Sequence, residues 1–268
     1  MTDGSSPESE TELSKNAKKK LKRIEYIKGH RKEVRQRKKE ERRNKVKELD
    51  PDPERIAKRD RIQLEKERLR QSQNSFPRVV VDCSYEALMS EKETNKLRMQ
   101  ILRCYNLLKS SKTKPFHLHL GNFQEDLLLN KLFKEKTPNF DSMCITKFSQ
   151  PVYKQFTAKD IVYLTPDSPN PLSNVEPDKV YVIGGFVDDN IKRNTSMDIC
   201  KMQGLTTACL PIAHHFVNPN HKQLVLTINQ VFEILLMVYN GISWKETFDD
   251  VLPSRKGYVS VNSGDDCL

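Results

Sequence analysis

Three short segments of this chain combine residue types that could hold a ligand close to the backbone. They are Thr-Pro-Asp-Ser-Pro-Asn-Pro at 165–171, Gly-Gly-Phe-Val-Asp-Asp-Asn at 184–190 and Leu-Pro-Ile-Ala-His-His-Phe at 210–216. Each follows an apolar, largely β-branched run that reads as a strand: 161–165, 179–185 and 206–210. Proline presets the backbone, Asp and Asn cap turns, and glycine lets another group approach the main chain. In parallel α/β sheets, loops at the carboxyl ends of strands are where ligands sit. The glycine pair at 184–185 reads equally well as a tight turn when taken alone. Its weight comes from standing beside two other constrained strand-end loops.

Other chemistries fall away. The sequence has no G-x-G-x-x-G, G-x-x-x-x-G-K-[ST], H-E-x-x-H or G-x-S-x-G pattern. Its six cysteines form no C-x-x-C pair. Structural zinc and a disulfide framework therefore fit poorly, and scattered thiols point to a reducing compartment. No run of 18 apolar residues occurs, so no membrane span is expected. The start, Met-Thr-Asp-Gly-Ser-Ser-Pro-Glu-Ser-Glu, is acidic and polar, unlike a secretory signal or a mitochondrial presequence. Nucleus, cytoplasm or both are the expected locations.

The elements behind these loops divide into two parts by charge. Residues 1–14 carry four acids and no bases, and residues 15–70 carry 24 bases against 11 acids, so +9 of the net +10 lies in 1–70. Helix formers dominate 15–70, with acids at helical spacings, and Asp-Pro-Asp-Pro at 50–53 breaks any helix there. Leu21, Ile24, Ile27, Val34 and Val46 are too sparse for a coiled-coil seam. The segment reads as a basic arm, helical or disordered, suited to phosphate contacts with RNA. An import signal or a merely solvated helix is the plainer alternative. From Phe76 the texture changes to alternating strands and helices. Strands are expected at 78–83, 116–120, 143–148, 161–165, 179–185 and 206–210, with helices over 85–108, 124–134, 196–203, 224–240 and 244–251. Such alternation predicts a parallel sheet with helices on both faces. The predicted divisions are an arm over 1–75, a folded domain over 76–258 and a flexible tail over 259–268.

Seven segments, in order, resemble the tRNA (guanine-9-N1)-methyltransferase family, a branch of the SPOUT superfamily. They are Val-Asp-Cys-Ser-Tyr (81–85), Gln-Ile-Leu-Arg-Cys-Tyr (100–105), Tyr-Leu-Thr-Pro-Asp-Ser-Pro-Asn (163–170), Tyr-Val-Ile-Gly-Gly-Phe-Val-Asp-Asp-Asn (181–190), Leu-Pro (210–211), Ile-Asn-Gln-Val-Phe-Glu-Ile-Leu (228–235) and Pro-Ser-Arg-Lys-Gly (253–257). The resemblance spans about 78–258, and the basic arm is similar to that of the family. Ala-His-His at 213–215 departs from it, standing where a Gly- or Asn-containing turn is expected.

The resemblance implies a C-terminal deep trefoil knot, a topology that pattern reading would never propose. It implies S-adenosyl-L-methionine as cofactor, held by Leu164, Thr165, Gly185, Asp189, Asn190, Leu210, Leu224, Val225 and Leu226. It implies methylation of guanine-9 N1 in tRNA, with adenine as a second acceptor. Asp188 takes the family's general-base position, because guanine N1 must lose a proton before its lone pair can attack. Lys96, Gln100, Arg103, Lys192 and Arg193 are the expected RNA contacts. No metal, no membrane and a monomer complete the expectation. A catalytically silent tRNA-binding scaffold of the same fold, or a SPOUT enzyme acting on another RNA, stay open as alternatives.

Overall fold

The computed structural model describes residues 15–48, 53–71, 77–110, 114–187, 194–217, 226–252 and 259–260. The chain divides into two compact units, Met1–Arg61 and Ile62–Leu268. In the first, α1 (Lys15–Glu48) runs 34 residues. Ile24, Tyr26 and Ile27 on it are exposed, so these three form no buried apolar stripe. Its helicity rests on propensity and on surface pairs such as Arg37–Glu41 at 3.6 Å. A second helix, α2 (Pro53–Gln71), begins after Asp-Pro-Asp and crosses the division between the units.

Within the second unit, the last turns of α2 are built into the core although their composition is that of the arm. Leu69 is buried among the body's apolar residues, and the Arg68 guanidinium donates to the Leu108 carbonyl at 2.6 Å. One apolar position per turn is enough to dock a charged helix when its long side chains reach water.

Six strands form one parallel sheet in the order β3-β2-β1-β5-β4-β6. They are β1 (Arg78–Asp82), β2 (His117–Gly121), β3 (Thr146–Lys147), β4 (Ile161–Leu164), β5 (Val180–Gly184) and β6 (Thr206–Ala208). Each lies within a run expected to be a strand except that β2 ends one residue later, at Gly121. β7 (Phe216–Val217) and β8 (Val259–Ser260) add a small antiparallel pair that periodicity is too short to reveal. Helices α3 (Glu91–Ser110), α4 (Leu128–Lys136) and α7 (Ile228–Tyr239) cover one face, burying Leu97, Ile101, Phe133 and Phe232 against Val79, Val81 and Tyr181. The other face holds Val80, Tyr163 and Val182 under α5 (Val152–Gln155) and α6 (Thr195–Gln203). α8 (Trp244–Val251) packs Phe248 against Ile234 of α7. Strand alternation assigns successive residues to opposite faces, which is why Val79, Val80 and Val81 divide between the two cores.

His119, on β2, is buried, and neither of its ring nitrogens has a hydrogen-bond partner among the described residues. Burial, helped by neighbouring His117 and Arg78, lowers its pKa to about 3. The unfolded chain therefore binds a proton that the folded chain refuses. Stability from this residue is complete above the ordinary histidine value of about 6.5 and declines as pH falls toward 3. His119→Phe should flatten the fall in melting temperature between about pH 6.5 and pH 4, as read by thermal denaturation. An unchanged slope would remove His119 as its source.

Candidate active site

The sheet order reverses where β5 is inserted beside β1, and in parallel α/β sheets ligands bind beyond the strand ends at such a switch point. In-register pairing brings the expected loops together: Leu164 lies opposite Ile183 and also opposite Ala208. The residues that follow, Thr165, Gly184–Gly185 and Cys209–Leu210, therefore leave three adjacent strands at the same end.

The first loop is held by its own polar side chains. Thr165 donates its N–H to the Ala208 carbonyl at 2.9 Å, and its hydroxyl oxygen accepts from Asp167 N–H and from Ser196 Oγ at 3.0 Å. Ser168 Oγ lies 3.1 Å from Thr207 Oγ1, and Cys209 N–H donates to Asn170 O at 2.8 Å. Leu164 and Thr165 are both buried.

The second loop starts on a shelf made by the β1 end and the turn after it. Gly185 N–H donates to Asp82 O at 2.7 Å. A Cβ on Gly185 would stand 2.5 Å from that oxygen, so only glycine fits. Phe186 stacks on Tyr85 with ring centroids 5.5 Å apart, and Val187 N–H points to Met89 Sδ at 3.3 Å. At its far end, Asn194 adopts a left-handed conformation (φ 59°) and donates its N–H to Asp167 Oδ2 at 3.0 Å. Asp188, Asp189, Asn190, Lys192 and Arg193 lie between these anchors, outside the described residues.

Beneath the shelf is a buried polar cluster to which the sequence reading gave no role. Asp82, only 4% exposed, accepts from Ser84 N–H at 3.1 Å and Asn122 Nδ2 at 2.6 Å through Oδ1. Its Oδ2 accepts from Tyr163 OH at 3.0 Å, and Tyr163 OH lies 2.7 Å from Tyr85 OH. Burial, and then the nearby Asp82 carboxylate, push the Tyr163 phenol well up; burial also dominates the rise at Tyr85. Both hydroxyls thus keep their protons. Because Tyr163 gives its proton to Asp82, Tyr85 is the donor in the second bond. An Asp closing an apolar strand run was the available signal.

The third loop is anchored in an apolar cluster. Leu210 and Leu226 are partly buried and pack against the same cluster of Phe216, Ile234, Phe248 and Leu252. Ile212–His214 is a single tight turn, with His214 exposed, in the stretch that departs from the family pattern. Leu224 and Val225 lie outside the described residues.

On α3 the expected RNA contacts separate. Arg103 is exposed and Lys96 is half-buried, two turns apart on the helix. Gln100, expected to face RNA, is instead turned inward: it is 8% exposed and its Oε1 accepts the Ile228 N–H at 2.8 Å. The first turn of α7 has orphan N–H groups, and a buried amide from α3 satisfies one of them. Among the described residues no cluster of His, Cys, Asp and Glu could hold a metal ion. No helix among them is long and apolar enough to cross a membrane.

Thr165, Gly185 and Leu210 leave three adjacent strands of a parallel α/β sheet at one end, which is the end where such sheets take their ligands. The family model described as tRNA (guanine(9)-N(1))-methyltransferase TRM10/TRM10A matches residues 11–257, and the chain belongs to that family. A Bos taurus relative, tRNA methyltransferase 10 homolog B, is 35% identical over 255 residues, covering 93% of this chain and 80% of its own. The tRNA (guanine(9)-N1)-methyltransferase of Schizosaccharomyces pombe is 31% identical over 252 residues, covering 92% and 81%. Among solved structures, spTrm10(74) aligns with a TM-score of 0.59 at 32% identity, over 66% of this chain and 94% of that one. The full-length spTrm10–SAH complex aligns at 0.57 and 31% identity, with the same coverage. Where these names specify a base it is guanine-9. Adenine as a second acceptor, the silent scaffold and a different RNA gain no support from them.

Proposed function

We propose that this protein transfers a methyl group from S-adenosylmethionine to N1 of guanine-9 in tRNA. The observation that carries the reading is the convergence of Thr165, Gly185 and Leu210 at the ends of three adjacent parallel strands, in a chain of this family. A relative crystallised with the demethylated donor supports the cofactor. The residues present suit such a ligand: Leu210 and Leu226 are partly buried apolar side chains of the kind that flank a purine ring, and Thr165, Gly185 and Leu210 bring main-chain groups to the same end of the sheet. Asp189, Asn190, Leu224 and Val225 belong to the same proposed set. The deep trefoil knot is part of this reading too, supported by the chain's family.

S-adenosylmethionine supplies a methyl group on a sulfonium, which leaves as a neutral thioether. The protein's task is to orient guanine N1 in line with that methyl and to remove the N1 proton. Asp188, two residues after the anchored Phe186, is the residue proposed for this role, and the chain's family supports the choice. Holding the two reactants in one geometry supplies much of the acceleration. Arg103, Lys96, Lys192 and Arg193 hold the tRNA backbone, and Gln100 acts from behind by fixing the start of α7. The protein acts as a monomer, in nucleus or cytoplasm. Radiolabelled methyl transfer to tRNA transcripts carrying G or another base at position 9 tests the reading: label should enter only G9 substrates, and no incorporation would refute it.

The basic arm supplies sequence-independent grip. Truncation belongs at residue 61 and not at 70, because Arg68 and Leu69 serve the body. Removal of 1–61 should raise the KM for tRNA and reduce the slope of log Kd against log salt. Each lost phosphate contact is worth about 0.7–0.9 of slope. Unchanged slope in a filter-binding titration would end the arm's role.

A further inference from the structure

The geometry points to Tyr163 and Tyr85 as positioning residues for methyl transfer, acting through the root of the Gly184–Val187 loop. This rests on the reading of Asp188 as the base carried by that loop. Four observations converge. A Cβ built on Gly184 would lie 3.5 Å from Tyr163 Oη and 3.5 Å from Tyr85 Cε2, so the Tyr163 hydroxyl and the edge of the Tyr85 ring face the loop's first residue. Tyr85 carries Phe186 on its ring. The backbone oxygen of Asp82 receives the Gly185 N–H while its carboxylate receives the Tyr163 hydroxyl, so one residue is fixed from both sides. Asn122, held in the left-handed region at φ 52°, closes the carboxylate from the β2 side.

The chain of donors has one direction: Tyr85 to Tyr163 to Asp82. A buried carboxylate with no cation bonded to it among the described residues depends on such donors for its solvation. With the chain intact, the Asp82 main chain and the Tyr85 ring are fixed, and the loop resting on them leaves the sheet in one orientation. Without the Tyr163 hydroxyl, the Asp82 carboxylate must find another donor, and the shelf shifts with it. Neither tyrosine touches the reacting atoms in this account. A misplacement of about 1 Å at the reacting centre can cost on the order of 10²-fold in rate.

The test uses the full chain, with Tyr163→Phe, Tyr85→Phe, Asp188→Asn and the Tyr163→Phe/Asp188→Asn pair. Tyr163→Phe should lower kcat for guanine-9 methylation by about ten- to 10²-fold, with the KM for tRNA nearly unchanged. Tyr85→Phe, which leaves the donor to Asp82 in place, should show a smaller loss in the same direction and guards against a folding defect in the first variant. If the hydroxyls act by placing the base, the double variant falls no further than Asp188→Asn alone. Wild-type kcat in both phenylalanine variants, or losses that multiply in the pair, would overturn the proposal. Full activity in Asp188→Asn would instead remove the base assignment, leaving the tyrosine proposal to be decided by kcat in the two single variants.

Discussion

An Asp188→Asn enzyme is expected to methylate guanine-9 about 10²–10⁴-fold more slowly than the parent at neutral pH. Guanine N1 keeps its proton there, and asparagine, isosteric but without a basic oxygen, cannot accept it. The loss should shrink as pH rises, because solvent then removes an increasing share of the protons and the side chain has less to add. Donor affinity, read by calorimetry with the demethylated product, should change little, which separates a chemical defect from a collapsed pocket. Guanine-9 turnover equal to the parent's across this pH range would rule out Asp188 as the base.

Gly185→Ala should be the most damaging single-atom change in the described sheet. Its new methyl would stand 2.5 Å from Asp82 O and 3.1 Å from Asp82 C, both main-chain atoms of a central strand. Relief requires breaking the Gly185–Asp82 hydrogen bond or pulling β5 out of register with β1. Overpacking of this kind costs about 1–3 kcal/mol, and here it also turns the loop away from the neighbouring strand-end loops. Melting temperature, donor binding and methyl transfer should all fall. Gly184→Ala is the internal control, since its methyl would meet only ordinary contacts at 3.5 Å or more. Equal behaviour of the two variants would show that close backbone approach is not what Gly185 supplies.

The six strands of the main sheet and the longer helices of the body are readable because each is coded locally, whereas α5, β7 and β8 are too short to carry a period. Val-Val-Val at 79–81 and Val-Tyr-Val-Ile at 180–183 are β-branched runs bounded by turn residues, and they emerge as β1 and β5. The three loops were readable for a similar reason, since Pro and Gly act on their own neighbours. Gln100 is expected at the RNA through the family-like segment 100–105, and the structure turns it inward instead. Its spacing from Leu97 and Cys104 places it on the buried side of α3. Residues 62–71 were given to the arm by charge, yet burial there depends on a single face. The Tyr163–Asp82 bond joins residues 81 positions apart, and no local period encodes such a partner. The same holds for Tyr85 and Tyr163, 78 apart. Long-range polar pairing was thus the part of the site hidden from the sequence.

The sheet order also constrains how the chain reaches this state. β1 borders β2 on one side, but its other edge is completed only by β5, with Asp82 paired to Gly184 about 100 residues later. During synthesis that central edge has no partner until most of the body has left the ribosome. Closing so wide a loop carries an entropic cost that local helices cannot offset in advance, so assembly of the sheet centre should be the slow phase of refolding. In that interval the open edge of Val79–Val81 is the segment on which chaperones would be expected to act, and aggregation to begin.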